Sequence, residues 1–327
     1  MAPKASLIGL LLVAVLNPIN LSAQESGCTQ RTVAVGVVDR QWNLVQGLGA
    51  ANFRGKVGRQ EVQVLSALLD HSPRRIVVLL DASGSMMFPD AAGWKTEKTI
   101  SEYLVRFAPP RASIAFMGFT GVVLGTERSD EDPLAILKNL SVLMKVCEQP
   151  QKARRTALFD AVMSARDLLG APNLGDVVCA LTDAGDNASR TEPKKVQEEL
   201  LRTGVRLFAV LIEPDPMRRG RTPQEDTSDF DPMVRATGGN DLMLTLAGWT
   251  PTRPHVEVEI KAGSLDLDLH RLCKQMGEFY RLDVRLPEAV DKPTKWKLEV
   301  IDSAGKPMRG VEIHYPQELM PCPNVGG

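Results

Sequence analysis

Between Arg75 and about Leu246, apolar runs alternate with amphipathic stretches. The runs Ile76–Asp81 (IVVLLD), Ala112–Phe119, Val122–Gly125, Val177–Asp183 (VVCALTD), Val205–Ile212 and Leu242–Leu246 read as strands. Helical spacing predicts helices over Lys95–Phe107, Pro133–Cys147, Thr156–Leu169, Pro193–Thr203 and Pro232–Thr237. In Thr156–Leu169, for instance, Leu158, Ala161, Val162, Ala165 and Leu168 share one face. Strands that are apolar throughout, rather than alternating, are what a parallel sheet covered by helices on both sides requires. The block therefore predicts a doubly wound α/β domain with a mostly parallel sheet.

The texture changes on either side. Thr32–Leu65 and Tyr280–Tyr315 carry short β-prone runs broken by glycine-containing turns. At about 35 residues, each segment is too small to sustain its own core. Together they can form one small β-sandwich built from both ends of the chain. Leu269, Leu272, Met276 and Phe279 recur at helical spacing, so Leu265–Phe279 reads as a closing helix. The expected organisation is 1–23 signal, 24–70 N-terminal β segment, 71–250 α/β domain, 251–279 connector and closing helix, and 280–327 C-terminal β segment. Gly47-Leu48-Gly49 lacks a third glycine and a following helix, so it reads as a hairpin turn and not a phosphate loop.

The N-terminus adds a compartment. Lys4, the apolar Leu7–Leu16 and the small residues before Gln24 form a secretory-signal pattern, with cleavage after Ala23. An uncleaved membrane anchor is the alternative. No later run of about 18 apolar residues follows, so no membrane span is expected in the mature chain. The chain has five cysteines, an odd number for a secreted protein. Cys179 reads as a buried thiol, and a Cys28–Cys322 bridge would tie both termini together. The formal net charge of -1 argues against a general nucleic-acid binder. Arg218, Arg219 and Arg221 sit beside the acidic Glu225–Asp231 and read as a solvated loop.

The first strand poses the chemical question. RIVVLLDASGSM ends in Asp81, followed by Ser83 and Ser85 at alternate positions. Ligands in open α/β sheets gather outside the carboxyl ends of strands, where strand order reverses. If the reversal falls between the strands ending in Asp81 and Asp183, the two carboxylates face one crevice, and Thr156 in RRTALFDA can point into it. Five oxygen-bearing side chains without histidine or thiolate suit a hard cation such as Mg²⁺ or Mn²⁺. The competing reading is that the serines cap a helix and Asp81 satisfies backbone amides.

DASGSM, the threonine of RRTALFDA and the aspartate of LTDAGDN resemble the metal-ion-dependent adhesion site of von Willebrand factor type A domains. Segments like NLVQGLGAANF and GEFYRLDVRL flank the domain in a similar way in secreted bacterial proteins of this family, common in Acidobacteria. The resemblance implies that Asp81, Ser83 and Ser85 coordinate metal directly, Thr156 directly or on ligand binding, and Asp183 largely through water. It departs from the family at Ala184, where glycine is usual, and at MFPDAAGW after Met86.

These readings lead to a secreted, non-enzymatic protein-binding module that captures a partner's Asp or Glu through Mg²⁺ or Mn²⁺. The alternatives are a structural scaffold with an unoccupied metal site and, behind it, a metal-dependent hydrolase. No G-x-S-x-G elbow or glycine-rich dinucleotide turn supports an enzyme. Arg154 and Arg155, just before Thr156, are candidates to pair with the partner carboxylate's second oxygen, or are simply solvated.

Overall fold

The computed structural model describes residues 28–87, 91–126, 130–149, 155–213, 229–245 and 262–322. The signal segment, Arg154, the centre of MFPDAAGW, the Arg218–Arg221 cluster and much of the connector lie outside the described residues.

Six strands form a mixed sheet: β4 (Arg75–Asp81), β5 (Ser113–Phe119), β6 (Val123–Thr126), β7 (Val177–Thr182), β8 (Arg206–Glu213) and β9 (Asp241–Thr245). The order is β6-β5-β4-β7-β8-β9. Neighbours pair parallel, except that β6 runs antiparallel to β5 at one edge. Alternate residues of β4 enter different cores. Ile76, Val78 and Leu80 pack with α2 (Ala92–Arg106), α3 (Pro133–Glu148) and α7 (Ala262–Gly277). Val77 and Leu79 pack with α4 (Leu158–Leu169), α5 (Pro193–Thr203) and α6 (Phe230–Ala236). Burial on both faces is the physical reason these strands carry no polar alternation.

The terminal segments meet in a second sheet, antiparallel throughout, of β1 (Gln30–Asp39), β2 (Phe53–Val57), β3 (Gln60–Asp70), β10 (Phe279–Arg285), β11 (Thr294–Val300), β12 (Val311–His314) and β13 (Glu318–Leu319). The sequence suggested a sandwich of two sheets. The seven strands instead follow one hydrogen-bonded order, β12-β1-β10-β3-β2-β11-β13. The enclosure comes from partner switching. β1 pairs with β10 over Gln30–Val35 and with β12 over Gly36–Asp39. β3 pairs first with β2 and then with β10. The sheet folds over at these strands, as corners do in orthogonal packings. Val35, Phe53, Tyr280, Leu282, Trp296 and Leu298 fill its core.

Cys28 and Cys322 are disulfide-bonded, with Cα atoms 5.9 Å apart. Cys147, Cys179 and Cys273 are buried; burial pushes the Cys179 thiol up to about 12, the behaviour of an inert core residue.

Candidate metal centre at the strand ends

The chain leaves β4 for β5 on one side and comes back to β7 on the other. The reversal of strand order therefore falls between β4 and β7, the position where open α/β sheets form their crevice. Asp81 is the last residue of β4, and Asp183 immediately follows β7.

Asp81 is fully buried. Its Oδ1 accepts from the Ser83 amide at 2.9 Å and its Oδ2 from the Thr182 hydroxyl at 2.6 Å. Ser83 is buried and Ser85 exposed, with their hydroxyl oxygens 3.1 Å apart. A short helix, α1 (Gly84–Met87), begins here, and the Met87 amide donates to the Ser83 carbonyl. That bond is the helix's own first turn and not a side-chain cap; the two hydroxyls meet each other, and Asp81 satisfies the Ser83 amide as the competing reading expects.

Thr156 is buried and precedes α4 by two residues. The predicted helix started at Thr156, but the helix begins at Leu158 because Ala157 lies outside the helical region at φ -116°, ψ 64°; the Thr156 amide donates to Asn187 Oδ1 at 3.0 Å. The Thr156 carbonyl accepts from the Asn187 and Ala188 amides, both at 2.9 Å. The threonine loop is therefore stitched to the loop that carries Asp183. Asp183 is half-buried, and its Oδ1 accepts from the Gly185 amide at 3.1 Å. Arg155 is exposed and donates to the Asn187 carbonyl.

The electrostatics are one-signed. Burial first, and the Asp183 charge second, push the Asp81 carboxyl up to about 7, against the pull of the Thr182 and Ser83 hydrogen bonds. A carboxylate that sequence reasoning missed, Glu97 on α2, is fully buried beside them. Burial, then the charges of Asp81 and Asp183, hold Glu97 well above the usual carboxylate range. The Asp81 backbone amide is near enough to pull the other way, but short of hydrogen-bond geometry, so both Glu97 oxygens stay unpartnered. A signal existed: Trp94, Glu97, Ser101 and Leu104 recur at helical spacing, and all are buried, so Glu97 interrupts a stripe that faces the core. Thr182 and Asn187 were also missed, because their roles are visible only once the loops are placed.

The donor set fits a hard cation: oxygen atoms, two orphaned carboxylate oxygens, and no basic side chain among the groups that shift Asp81 or Glu97. No cluster of three or more His, Cys, Asp or Glu side chains close enough to hold a metal by themselves occurs among the described residues. Direct ligation would thus depend on hydroxyls and water. The imidazoles sit elsewhere: His71 faces Glu278, His270 packs on Phe107 and His314 on Trp42, while His255 lies outside the described residues.

Ala184 adopts φ +63°, the left-handed region that glycine enters freely. Replacing it with glycine relieves about 1–2 kcal/mol of strain. The change also forfeits a buried methyl worth about 0.8 kcal/mol and adds unfolded-chain freedom worth about 0.5–1 kcal/mol. Ala184→Gly is therefore expected to stay within about 1 kcal/mol of wild type in urea unfolding; a larger shift would mean that the turn is held differently.

No protein-family model matches the chain, and no curated protein matches it significantly. Among solved structures, BatB from Bacteroides thetaiotaomicron, a conserved hypothetical protein, is 14% identical at a TM-score of 0.42, covering 60% of this chain and 98% of that one. A von Willebrand factor type A protein from Catenulispora acidiphila is 11% identical at 0.41, covering 90% and 74%. The SpRpn10 VWA domain is 10% identical at 0.38, covering 61% and 94%. At such scores no property of these proteins is carried over. In its motif residues, DASGSM with Thr156 and Asp183, the chain is similar to von Willebrand factor type A domains.

Proposed function

We propose that this chain is a non-enzymatic protein-binding module whose doubly wound domain holds Mg²⁺ or Mn²⁺ at Asp81, Ser83, Ser85, Thr156 and Asp183. The observation that carries the reading is a buried, hydroxyl-lined carboxylate at the strand-order reversal, with like charge beside it and no basic side chain among the groups that shift it. When bound, the ion supplies a Lewis-acidic position able to accept a carboxylate oxygen from Asp or Glu of a partner protein. The chain's own residues do the positioning. Thr182 and the Ser83 amide orient Asp81, Asn187 fixes the Thr156 loop, and Ser83 and Ser85 bring two neutral oxygens to the same edge. In this reading Arg155, beside Thr156 in the chain, leaves the Asn187 carbonyl to which it donates and flanks an incoming carboxylate. Among the described residues no helix is long and apolar enough to cross a membrane. The signal-like N-terminus makes a secreted or periplasmic location part of the proposal, with retention as an N-terminal anchor as the alternative.

Titration calorimetry with Mg²⁺ and Mn²⁺ on wild type and Asp81→Ala tests the site. Wild type is expected to bind one ion and Asp81→Ala to bind at least about tenfold more weakly. Equal binding by both would refute the assignment. Retained folding with no binding by wild type would favour the scaffold alternative. Capture of a partner from the native secreted fraction should then require the ion, and Arg155→Ala should weaken capture without changing metal affinity.

A further inference from the structure

The threonine loop has a second open side. A cleft of about 610 Å³ lies between the turn that joins β5 to β6 and the start of α4, with Thr120, Gly121, Ala157 and Asp160 among its walls. That volume falls within the range of sites that hold ligand groups, about 300–1,000 Å³. Backbone hydrogen bonds make it a neighbour of the crevice. The Ala82 amide, between Asp81 and Ser83, donates to the Phe119 carbonyl at 2.8 Å, and the Ala157 amide donates to Thr120 at 2.9 Å. Crevice and cleft are thus joined by single peptide links, Phe119 to Thr120 and Thr156 to Ala157, each spanning about 3.8 Å between Cα atoms.

Two guanidinium groups and one carboxylate border the cleft, those of Arg155, Arg190 and Asp160. Asp160 is committed within the protein: its Oδ2 accepts from the Arg190 amide at 3.0 Å and its Oδ1 from the Thr191 amide at 2.9 Å. Arg155 stands at the border with the crevice, where a Cβ on Gly121 would lie 3.5 Å from its own Cβ. Arg190 is exposed, and its guanidinium makes no hydrogen bond or ion pair with a described residue, although the Asp160 charge is near enough to interact with it. Val122 and Val123, both exposed, add an apolar edge.

We infer that this cleft is a second subsite for the partner protein, in which Arg190 takes a second acidic side chain from the segment whose first carboxylate reaches the metal. The inference rests on the proposed cation reading for that first carboxylate and deepens it: the partner presents a pair of acids. Two cations against one committed anion favour a carboxylate in the cleft over an ammonium group. A guanidinium also matches a carboxylate with paired N–H donors, which an exposed lysine would not. An extended segment advances about 3.3–3.6 Å per residue, so acids with one to three residues between them span about 7–14 Å. That is the scale of a crevice and a cleft separated by one peptide link.

The probes are capped glycine–serine peptides carrying one glutamate, or two with one, two or three residues between them. Binding to the isotope-labelled protein is followed by NMR titration in saturating Mg²⁺ and again in chelator. In Mg²⁺ the best two-acid peptide is expected to bind about two- to fivefold more tightly than the one-acid peptide, the gain that a rim-exposed ion pair allows. It should also shift the Gly121 and Arg190 resonances. Arg190→Gln should erase that gain and leave Mg²⁺ affinity and one-acid binding as in wild type. Gly121→Leu, which narrows the cleft without changing charge, should reduce the gain as well. Equal binding of all peptides, or a gain that survives Arg190→Gln, overturns the subsite; if binding still needs Mg²⁺, the cation reading stands. A gain that depends on Arg190 but persists undiminished in chelator keeps the subsite and overturns the cation reading. No binding of any peptide in either condition overturns the subsite.

Discussion

Removing the Cys28–Cys322 bridge, by Cys28→Ser with Cys322→Ser or by reductant, is expected to lower stability by roughly 5 kcal/mol. The bridge closes a loop with a sequence separation of 294 residues, and the chain-entropy model puts loops of such length near about 5 kcal/mol, less any native strain. The structure adds a reason why the effect should concentrate in the terminal sheet. Cys28 lies just before β1, second in the strand order, and Cys322 lies just beyond β13, at the opposite edge. Their Cα atoms are nonetheless 5.9 Å apart, so the bridge closes the folded-over sheet upon itself. The Arg31 guanidinium, on β1, also donates to Cys322 Sγ at 3.2 Å. Without the bridge, β13 keeps only the pairings Thr294↔Leu319 and Lys295↔Glu318. The check is guanidinium unfolding of the oxidised protein, the reduced protein and the double serine variant, with non-reducing peptide mapping of the starting material. Coincident midpoints for all three would sink the prediction.

The strands of the six-stranded sheet were legible because burial on both faces removes polar residues, and a run such as VVCALT admits little else. Element ends were less so. The helix expected from Lys95 begins at Ala92, and that expected from Pro232 begins at Phe230, whose fully buried ring packs against Phe159. Thr156 fell outside its predicted helix because its carbonyl is taken by the Asn187 and Ala188 amides, and the Asp160 amide that would have donated to it donates to Ser189 Oγ instead. Such bonds are non-local, and no periodicity encodes them. The partner switching of β1 and β3 has the same origin: either half of each strand looks alike in sequence, and only the far segments decide which strand lies beside it.

The site divided in the same manner. Asp81, Ser83 and Ser85 could be read directly, since three residues at alternate positions share one short loop. That Asp183 stands beside Asp81 depended on the strand order, which the sequence left conditional and the sheet places between β4 and β7. Glu97 escaped because a glutamate amid Lys95, Thr96 and Lys98 looks solvated until the burial of Trp94 and Ser101 is known. Arg206 was hidden in a parallel way. It opens an apolar run, as strand-edge charges often do, yet it is 2% exposed.

Phe279→Ala is expected to cost about 3–5 kcal/mol from lost burial and the cavity alone, and the ring's surroundings push toward the upper end. Phe279 is fully buried at the start of β10, where the two sheets join through α7. Two guanidinium groups lie on its ring, Arg74 at 4.3 Å and Arg206 at 4.6 Å from the centroid. Both also bind the carbonyls that end α7: Arg74 Nε donates to Gly277 at 2.9 Å, and Arg206 donates to Gln275 at 2.9 Å and Met276 at 2.5 Å. Cations at that end complement the negative pole of the helix. Burial, and then the neighbouring Arg74 charge, lower the Arg206 guanidinium to about 9, so it remains cationic at neutral pH at a desolvation cost that the ring face and carbonyls offset. Gly175, at φ +86°, leaves the gap the ring fills; a Cβ there would stand 2.2 Å from Phe279. Phe279→Leu separates the two contributions, because it keeps most apolar volume and removes the π face. It should still cost more than about 1 kcal/mol, and its effect should be non-additive with Arg74→Met in a double-mutant cycle read by urea unfolding. A neutral Phe279→Leu whose effect adds to that of Arg74→Met would reduce the ring to filler and leave the helix-end carbonyls as the whole of the joint.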